Sequence, residues 1–359
     1  MARSMARSMA RSMELSLTRR EFLRRGARAA LGAGTVLSLV SAAGWPAGNL
    51  RRAFAQRATS LWEQPGMSPE ITPVGQFYTV SINLWDPRID YRHWTLEISG
   101  LVERPLTLDY QQLIRRPDTV DAFVTLTCVS NEVGGPLAGN ARWRGVRVRD
   151  LLEEAGVKPG AVDLVMEAYD NYTDSIPIEK AMHPDTLLVY EMNGEPLRPQ
   201  HGFPARLIVP GIYGMKNVKW IKRLRVVDYD FKGYWARRGW SDTAVIKTWS
   251  RIDIPSGAQL RAGEPVIIGG VAFAGDRGIA AVEVSVDGGQ TWTPAELKEP
   301  LGPYAWRLWA LPWTPGAAGS AELVVRAIDG TGQVQTEALA PPLPDGASGW
   351  HRRRIAVRA

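Results

Sequence analysis

Cys128 is the one cysteine in a chain of 359 residues, and it stands in the run Val124-Thr-Leu-Thr-Cys-Val-Ser-Asn-Glu-Val-Gly-Gly135. One cysteine excludes an intrachain disulfide, a Cys-x-x-Cys-His haem attachment and an iron–sulfur cluster held by cysteines. A free cysteine often packs as a small buried hydrophobe. Its thiolate is also a soft metal ligand, and with no second cysteine the other donors of such a centre would come from a cofactor. The residues that accompany it favour the second reading.

Cys128 leads into Ser130, Asn131, Glu132 and the Gly134-Gly135 pair, where the lack of side chains lets backbone approach a ligand closely. Asp170-Asn-Tyr-Thr-Asp-Ser175 offers a phenol and carboxylates. His201-Gly-Phe-Pro-Ala-Arg206 and Gly214-Met-Lys-Asn-Val-Lys219 bring a histidine, an arginine and two lysines close in sequence. Each has an ordinary explanation: Arg206 pairs a carboxylate, Lys219 is a solvated strand residue, Tyr172 belongs to a turn. Structural ion pairs produce such clusters too. Together the set suits an anionic, phosphate-bearing cofactor beside a cysteine-bound metal. Other catalytic signatures are missing. The chain has no Gly-x-Ser-x-Gly elbow, no Gly-x-x-x-x-Gly-Lys phosphate loop and no Gly-x-Gly-x-x-Gly dinucleotide turn. His93, His183, His201 and His351 lack zinc-ligand spacing. A plain zinc hydrolase and a nicotinamide dehydrogenase are thereby disfavoured.

The elements that would position these groups fall into two parts, divided near Lys247–Gly257, where Ser250-Arg-Ile-Asp-Ile-Pro-Ser-Gly257 interrupts the apolar pattern. The first part, residues 56–246, mixes strands and helices. Trp94 to Ile98 alternates as a half-buried strand, and Phe123 to Cys128 does the same, placing Val124, Leu126 and the thiol on one face at the strand's end. Arg147 to Ala155 reads as a short helix with Leu151 and Leu152 inward and Gly156 as its stop. Leu187 to Met192 is a strand followed by a two-residue Asn193-Gly194 hairpin turn. Arg206 to Val209 and Val218 to Ile221 are further expected strands. Residues 247–359 read as strand and turn throughout. Ile279 to Val286 runs into Asp287-Gly-Gly289, Glu322 to Ile328 runs into Asp329-Gly330, and Ala305 to Trp309 supplies aromatics. This spacing predicts a β-sandwich of about seven strands.

Residues 1–55 are expected to be an export signal rather than part of the fold. Leu17-Thr-Arg-Arg-Glu-Phe-Leu-Arg24 has the form of a twin-arginine signal, an apolar stretch follows to about Ala43, and Ala53-Phe54-Ala55 is a candidate cleavage site. An uncleaved segment would leave a membrane anchor. Met-Ala-Arg-Ser occurs three times over residues 1–12, so Met13 is an alternative start. The segment holds ten arginines and two glutamates; subtracting them from 43 basic and 37 acidic residues leaves 33 and 35, a net charge of −2. The basic character of the whole chain therefore resides in the signal, and nucleic acid is not an expected partner.

These motifs resemble the sulfite oxidase family of molybdenum enzymes. The resemblance is carried by Cys128 with its strand, Trp143-Arg-Gly-Val146, Tyr172-Thr-Asp-Ser-Ile-Pro177, Tyr190-Glu-Met-Asn-Gly-Glu-Pro196, His201-Gly-Phe-Pro-Ala-Arg206 and Val218-Lys-Trp220, in that order. In the second part it is carried by Val284-Ser-Val-Asp-Gly-Gly-Gln-Thr-Trp292, Trp306-Arg-Leu-Trp309, Arg326-Ala-Ile-Asp329 and Trp350-His-Arg-Arg-Arg354. It implies an α+β fold, a molybdopterin-binding domain followed by an immunoglobulin-like sandwich through which two copies pair. It implies Cys128 as the molybdenum ligand and Tyr78, Asn83, Asp170, His201, Arg206, Asn217, Val218 and Lys219 as the residues holding molybdopterin. Tyr172 is implied in the substrate pocket. The activity implied is oxygen-atom transfer on a small substrate, with electrons exchanged with a separate carrier such as cytochrome c or a quinol system. The alternatives are reduction of an S- or N-oxide, and a cofactor-free binding protein on the same scaffold. Sulfite-oxidising members follow the cysteine with Gly-Asn-Arg-Arg, whereas this chain has Ser130-Asn-Glu-Val133. An acid and an apolar residue are thus expected where a sulfite-binding arginine would be. Arg277 and Arg147 are the candidates for a replacement cation.

Overall fold

The computed structural model describes residues 61–257 and 259–359. The export-signal reading over residues 1–55 lies outside the described residues. Among those described, no helix is long and apolar enough to cross a membrane.

The first part is built on two sheets. One takes, in spatial order, the strands Leu106–Asp109, Thr95–Gly100, Ile221–Val227, Asp163–Ala168 and Thr173–Pro177, with Thr95–Gly100 and Ile221–Val227 parallel. Alternation in the sequence around Trp94 is fulfilled in its burial, since Leu96 and Ile98 are wholly enclosed. Helix α1 (Tyr110–Ile114) opens with a capping box between Asp109 and Gln112. Helix α2 (Val148–Ala155) buries Val148, Leu151, Leu152 and Ala155 on one stripe, and Gly156 ends it at φ 70°, the left-handed position glycine occupies without a Cβ clash. The second sheet orders Val120–Thr127, Ala138–Arg147, Leu187–Met192 and Glu195–Pro196, with Arg206–Ile208 also paired to Leu187–Met192. The Asn193-Gly194 turn forms as expected, with φ of 55° and 86°. Trp143 is fully buried beneath this sheet and donates its indole N–H to Val124 O at 3.0 Å.

Two sequence expectations need correction. Val218 to Ile221 is not a strand: the strand begins at Ile221, because Trp220 takes φ 52°, outside the extended region. Ser250–Gly257 is not simply a turn-rich divide. Trp249–Ile254 is a strand whose Ser250, Ile252 and Ile254 point inward, so its charged residues are the outward half of an alternation.

The second part is a sandwich. One layer orders Trp249–Ile254, Val266–Phe273, Arg307–Trp313 and Glu296–Leu297; the other orders Leu260–Arg261, His351–Arg358, Gly319–Asp329, Ile279–Ser285 and Thr293–Pro294. Ile252, Ile268 and Trp309 from the first face Val282, Val284, Leu323, Val325 and Ile355 from the second. The strands beyond the expected number are two residues long, too short to leave an alternating pattern. The sandwich also braces the strand that leads to Cys128. Thr125 N–H donates to Tyr304 O at 2.9 Å, and Thr125 Oγ1 accepts from Trp306 N–H at 2.9 Å. Arg251 Nη1 donates to Gly135 O at 2.8 Å.

Candidate active site

Cys128 emerges where the Val120–Thr127 strand ends. Its N–H still donates to Leu137 O at 2.9 Å, and its carbonyl accepts from Asn131 N–H at 3.0 Å, turning the chain sharply. The thiol is buried and lies 2.9 Å from Ser130 Oγ. It lines a cavity of about 260 Å³ together with Tyr78, Asp170, Tyr172, His201, Arg206, Asn217, Val218 and Lys219. Nine of the ten residues implied by the sequence are thereby brought to one cavity. Asn83 is the exception. It sits outside the lining, exposed, and its side-chain amide donates to Asp170 O at 3.0 Å, so it supports the wall instead of forming it.

The two cations define what the cavity accepts. Arg206 is enclosed and spans the backbone, Nη1 donating to His201 O at 3.1 Å and Nη2 to Asn217 O at 3.0 Å; its guanidinium lies 5.3 Å from the Trp143 ring centroid. Its Nε has no partner. Lys219 donates to Ser81 Oγ at 2.9 Å and Gln200 O at 3.1 Å, with its ammonium 4.0 Å from the Trp220 ring centroid. Among the described residues, neither has a carboxylate within 4.0 Å. Burial pushes Arg206 down to about 10 and, with repulsion from Arg206, Lys219 down to about 8. Buried charges are ordinarily paired. Two neighbouring cations held by neutral carbonyls and aromatic faces form a receptor for an anion.

His201 is neutral here. Burial lowers its pKa, and Nε2 is 2.9 Å from Val74 O, which fixes the proton on that nitrogen. Tyr78 is held far above the usual phenol range, by burial first and then by Cys128, so it remains protonated. Gly214 lets it in: a Cβ there would stand 2.7 Å from the Tyr78 hydroxyl. Asn217 spends its side chain on Val209 N, Tyr213 O and Ile212 O, so it shapes the turn, and its carbonyl anchors Arg206. Tyr172 lies within 2.8 Å of Asp174 Oδ2 and 2.9 Å of Met215 O. Met215, Trp235 and Trp240 supply an apolar wall that sequence reasoning did not find; tryptophans are too frequent in this chain for these two to stand out.

Glu132 and Val133 do not face this cavity. They line a separate small hollow with Gly134, Trp249 and Arg251, because Asn131 Oδ1 accepts from Leu137 N–H and turns the loop away. The expected like charge at the thiol is therefore absent. Neither candidate cation replaces it: Arg277 pairs with buried Asp329 at 2.9 Å and lines another cleft, and Arg147 flanks helix α2 beside Asp150.

Among the described residues no three His, Cys, Asp or Glu side chains converge into a metal cage. A metal on Cys128 would take its remaining donors from a bound group. Thiolate, apolar wall and anion receptor in one enclosure define the class: a site for a phosphate-bearing cofactor that carries a soft metal. Residues 83–235 match the family described as oxidoreductase molybdopterin binding domain, and residues 241–358 match the Mo-co oxidoreductase dimerisation domain. The chain is 31% identical over 359 residues to mitochondrial sulfite oxidase of Rattus norvegicus, covering 85% of this chain and 65% of that one. It is 30% identical to sulfite oxidase of Gallus gallus over 318 residues, covering 76% and 69%. It is 31% identical over 331 residues to nitrate reductase [NAD(P)H] of Hordeum vulgare, covering 75% and 37%. The crystal structure of the sulfane dehydrogenase SoxCD from Paracoccus pantotrophus superposes with a TM-score of 0.71 at 29% identity, covering 82% and 83%. The chain belongs to the sulfite oxidase family of molybdopterin-dependent oxidoreductases. It spans a little under two thirds of the length of the mammalian sulfite oxidases it matches.

A pH effect follows from Lys219. In the unfolded chain its ammonium titrates near 10.4, against about 8 when buried. Between those values the unfolded state binds more protons, so stability rises with pH. The cost of burying the charge is full below about pH 8 and disappears as pH climbs through this window. A bound anion restores the higher pKa and removes the effect. Cofactor-free protein should thus gain resistance to urea from about pH 7.5 to about pH 9.5 more than loaded protein does. Lys219→Met should abolish the difference; an equal gain in all three would contradict the assignment.

Proposed function

We propose that this chain is an exported molybdenum–molybdopterin oxidoreductase that transfers an oxygen atom to or from a small, weakly charged substrate. The observation that carries the proposal is the pair of buried, anion-less cations, Arg206 and Lys219, lining the same cavity as Cys128. When bound, the cofactor supplies a two-electron redox centre competent for oxygen-atom exchange. Arg206 and Lys219 would hold its phosphate, with His201 and Tyr78 as neutral hydrogen-bonding walls and Cys128 as the protein's own ligand to the metal. Tyr172, Met215, Trp235 and Trp240 would shape the substrate's approach. Electrons would pass to or from a separate carrier such as a cytochrome c or a quinol system, and two copies would pair through the sandwich.

The cation count bears on the substrate. With Arg206 and Lys219 engaged by phosphate, no further arginine or lysine among the lining residues is left for a dianion. Losing one desolvated charge pair costs about 2–5 kcal/mol, roughly thirty- to several-thousand-fold in affinity. Sulfite oxidation, assayed with ferricyanide as acceptor, is expected to saturate only in the millimolar range. A neutral sulfur compound, or the reverse reduction of a neutral S- or N-oxide, should be handled better. Micromolar saturation with sulfite at moderate salt would contradict this.

Export rests on Arg19 and Arg20. Changing both to lysine keeps the charge and removes the guanidinium pair. The variant is expected to accumulate in the cytoplasm, still loaded with molybdenum. Normal export of it would remove the twin-arginine reading.

A further inference from the structure

A set of buried titratable side chains beside the cavity has no part in the chemistry assigned so far. Asp174, on the Thr173–Pro177 strand, is completely enclosed, and so very nearly is Lys216, in the 3-10 turn Gly214–Lys216. Tyr172, which lines the cavity, has its hydroxyl 2.8 Å from Asp174 Oδ2. Asp174 Oδ1 accepts from Lys216 Nζ at 2.8 Å. The same ammonium donates to Asp242 Oδ1 at 3.1 Å. Asp242 reaches solvent, with 32% of its side chain exposed, and pairs on its outer oxygen with Lys232 at 2.6 Å. Three contacts therefore run without a gap from Tyr172 at the cavity wall to Asp242 at the surface.

We propose that Tyr172, Asp174, Lys216 and Asp242 form a proton conduit between the cavity and solvent. The inference rests on the oxygen-transfer reading given above. Oxidising a substrate by one oxygen atom from water releases two electrons and two protons. The electrons leave to the separate carrier. Each of the two protons leaves by this route in turn. Tyr172 passes its phenolic proton to Asp174 as it takes one from water in the cavity. Lys216 passes one to Asp242, which releases it, and Lys216 then takes the proton held by Asp174. Every group ends in its starting state, and reduction of an oxide runs the same steps inward.

The surroundings suit this traffic. Asp174 is met by Tyr172, Lys216 and Ser175 N–H, and the backbone of Gly233 closes over it so tightly that a Cβ there would stand 2.2 Å from Oδ1. Asp242 is faced by Lys216 and Lys232, and Lys232 is also paired with Asp230. Burial first, then Asp174, Asp170 and Cys128, hold the Tyr172 phenol well above its ordinary range, so its proton moves only as another arrives from water in the cavity. Burial raises the Asp174 carboxyl, with Lys216 opposing, which brings its protonated form within reach. At Asp242 burial is outweighed by the bonds to Lys232 and Lys216, which hold the carboxyl below its usual range and favour release to solvent. A purely structural ion pair would use the same contacts, so the test must separate charge from proton transfer.

Arginine makes that separation, because it keeps the positive charge and does not deprotonate. The holoprotein and its Lys216→Arg and Lys216→Met variants would be reduced with methyl viologen, following proton uptake with an indicator dye, after molybdenum has been quantified in each. The conduit predicts that both variants keep their molybdenum and take up protons about 10²-fold more slowly. Wild-type uptake in Lys216→Arg, with only Lys216→Met impaired, would reduce the set to a structural ion pair. A second readout needs no cofactor: exchange of the Lys216 ammonium with solvent, followed by NMR of protein labelled with ¹⁵N-lysine. Rapid exchange that slows in Asp242→Asn supports the conduit, and slow exchange indifferent to Asp242→Asn overturns it. A wild-type protein without molybdenum would overturn the proposed function, and the exchange measurement would still decide the conduit.

Discussion

Cys128→Ser is expected to abolish turnover while the protein stays folded. Serine offers a hard, weakly acidic hydroxyl where a soft metal needs a thiolate. Outer-shell partners of metal ligands typically cost about 10–100-fold when lost, and a direct ligand should cost more than that. The fold should tolerate the change. Ser130 Oγ, 2.9 Å from the sulfur, remains as a hydrogen-bond partner for the new hydroxyl, and only about 1 kcal/mol of stability is at stake. Pterin should be at least partly retained, because the cations stand on the His201–Lys219 segment and not on the cysteine loop. Wild-type turnover by Cys128→Ser would remove the ligand assignment.

Arg206→Met should act in opposite directions on loaded and empty protein. In loaded protein it removes one partner of a buried charge pair, a loss of about 3–5 kcal/mol, so cofactor retention should fall roughly hundred- to several-thousand-fold. In empty protein the guanidinium is an uncompensated buried charge whose Nε has no partner. Methionine fills similar space without that cost, although His201 O and Asn217 O each lose a donor. The empty variant should therefore unfold in urea at or above the wild-type midpoint. A variant that keeps its cofactor and is strongly destabilised would show Arg206 to be structural.

The legible part of the site was the part written in short, contiguous motifs. Cys128 at the end of an alternating strand, His201 to Arg206 across one tight segment, and Lys219 just before the Ile221–Val227 strand all reach the cavity. Asn83 shows the limit, since its motif is local while its reach depends on which way the loop folds; its amide goes to Asp170 O. Glu132 shows the same limit with a charge: four residues from the thiol in sequence, it faces the other side because Asn131 bonds Leu137. Trp220 broke an expected strand through a positive φ that no apolar pattern encodes. Asp174 and Lys216 were within quoted motifs, yet they are 42 residues apart and their pairing exists only after the sheet and the 3-10 turn are assembled. The sandwich was legible from turn spacing, whereas its two-residue edge strands were not.

The proposed site holds molybdenum on Cys128 through a phosphate-anchored pterin. The most direct measurement is metal and pterin content of the protein purified from a host that makes the cofactor, beside Cys128→Ser prepared in the same way. About one molybdenum and one pterin per chain are predicted for the native protein, with molybdenum sharply reduced and pterin partly kept in the variant. A native protein free of both, or a variant with undiminished molybdenum, would contradict it.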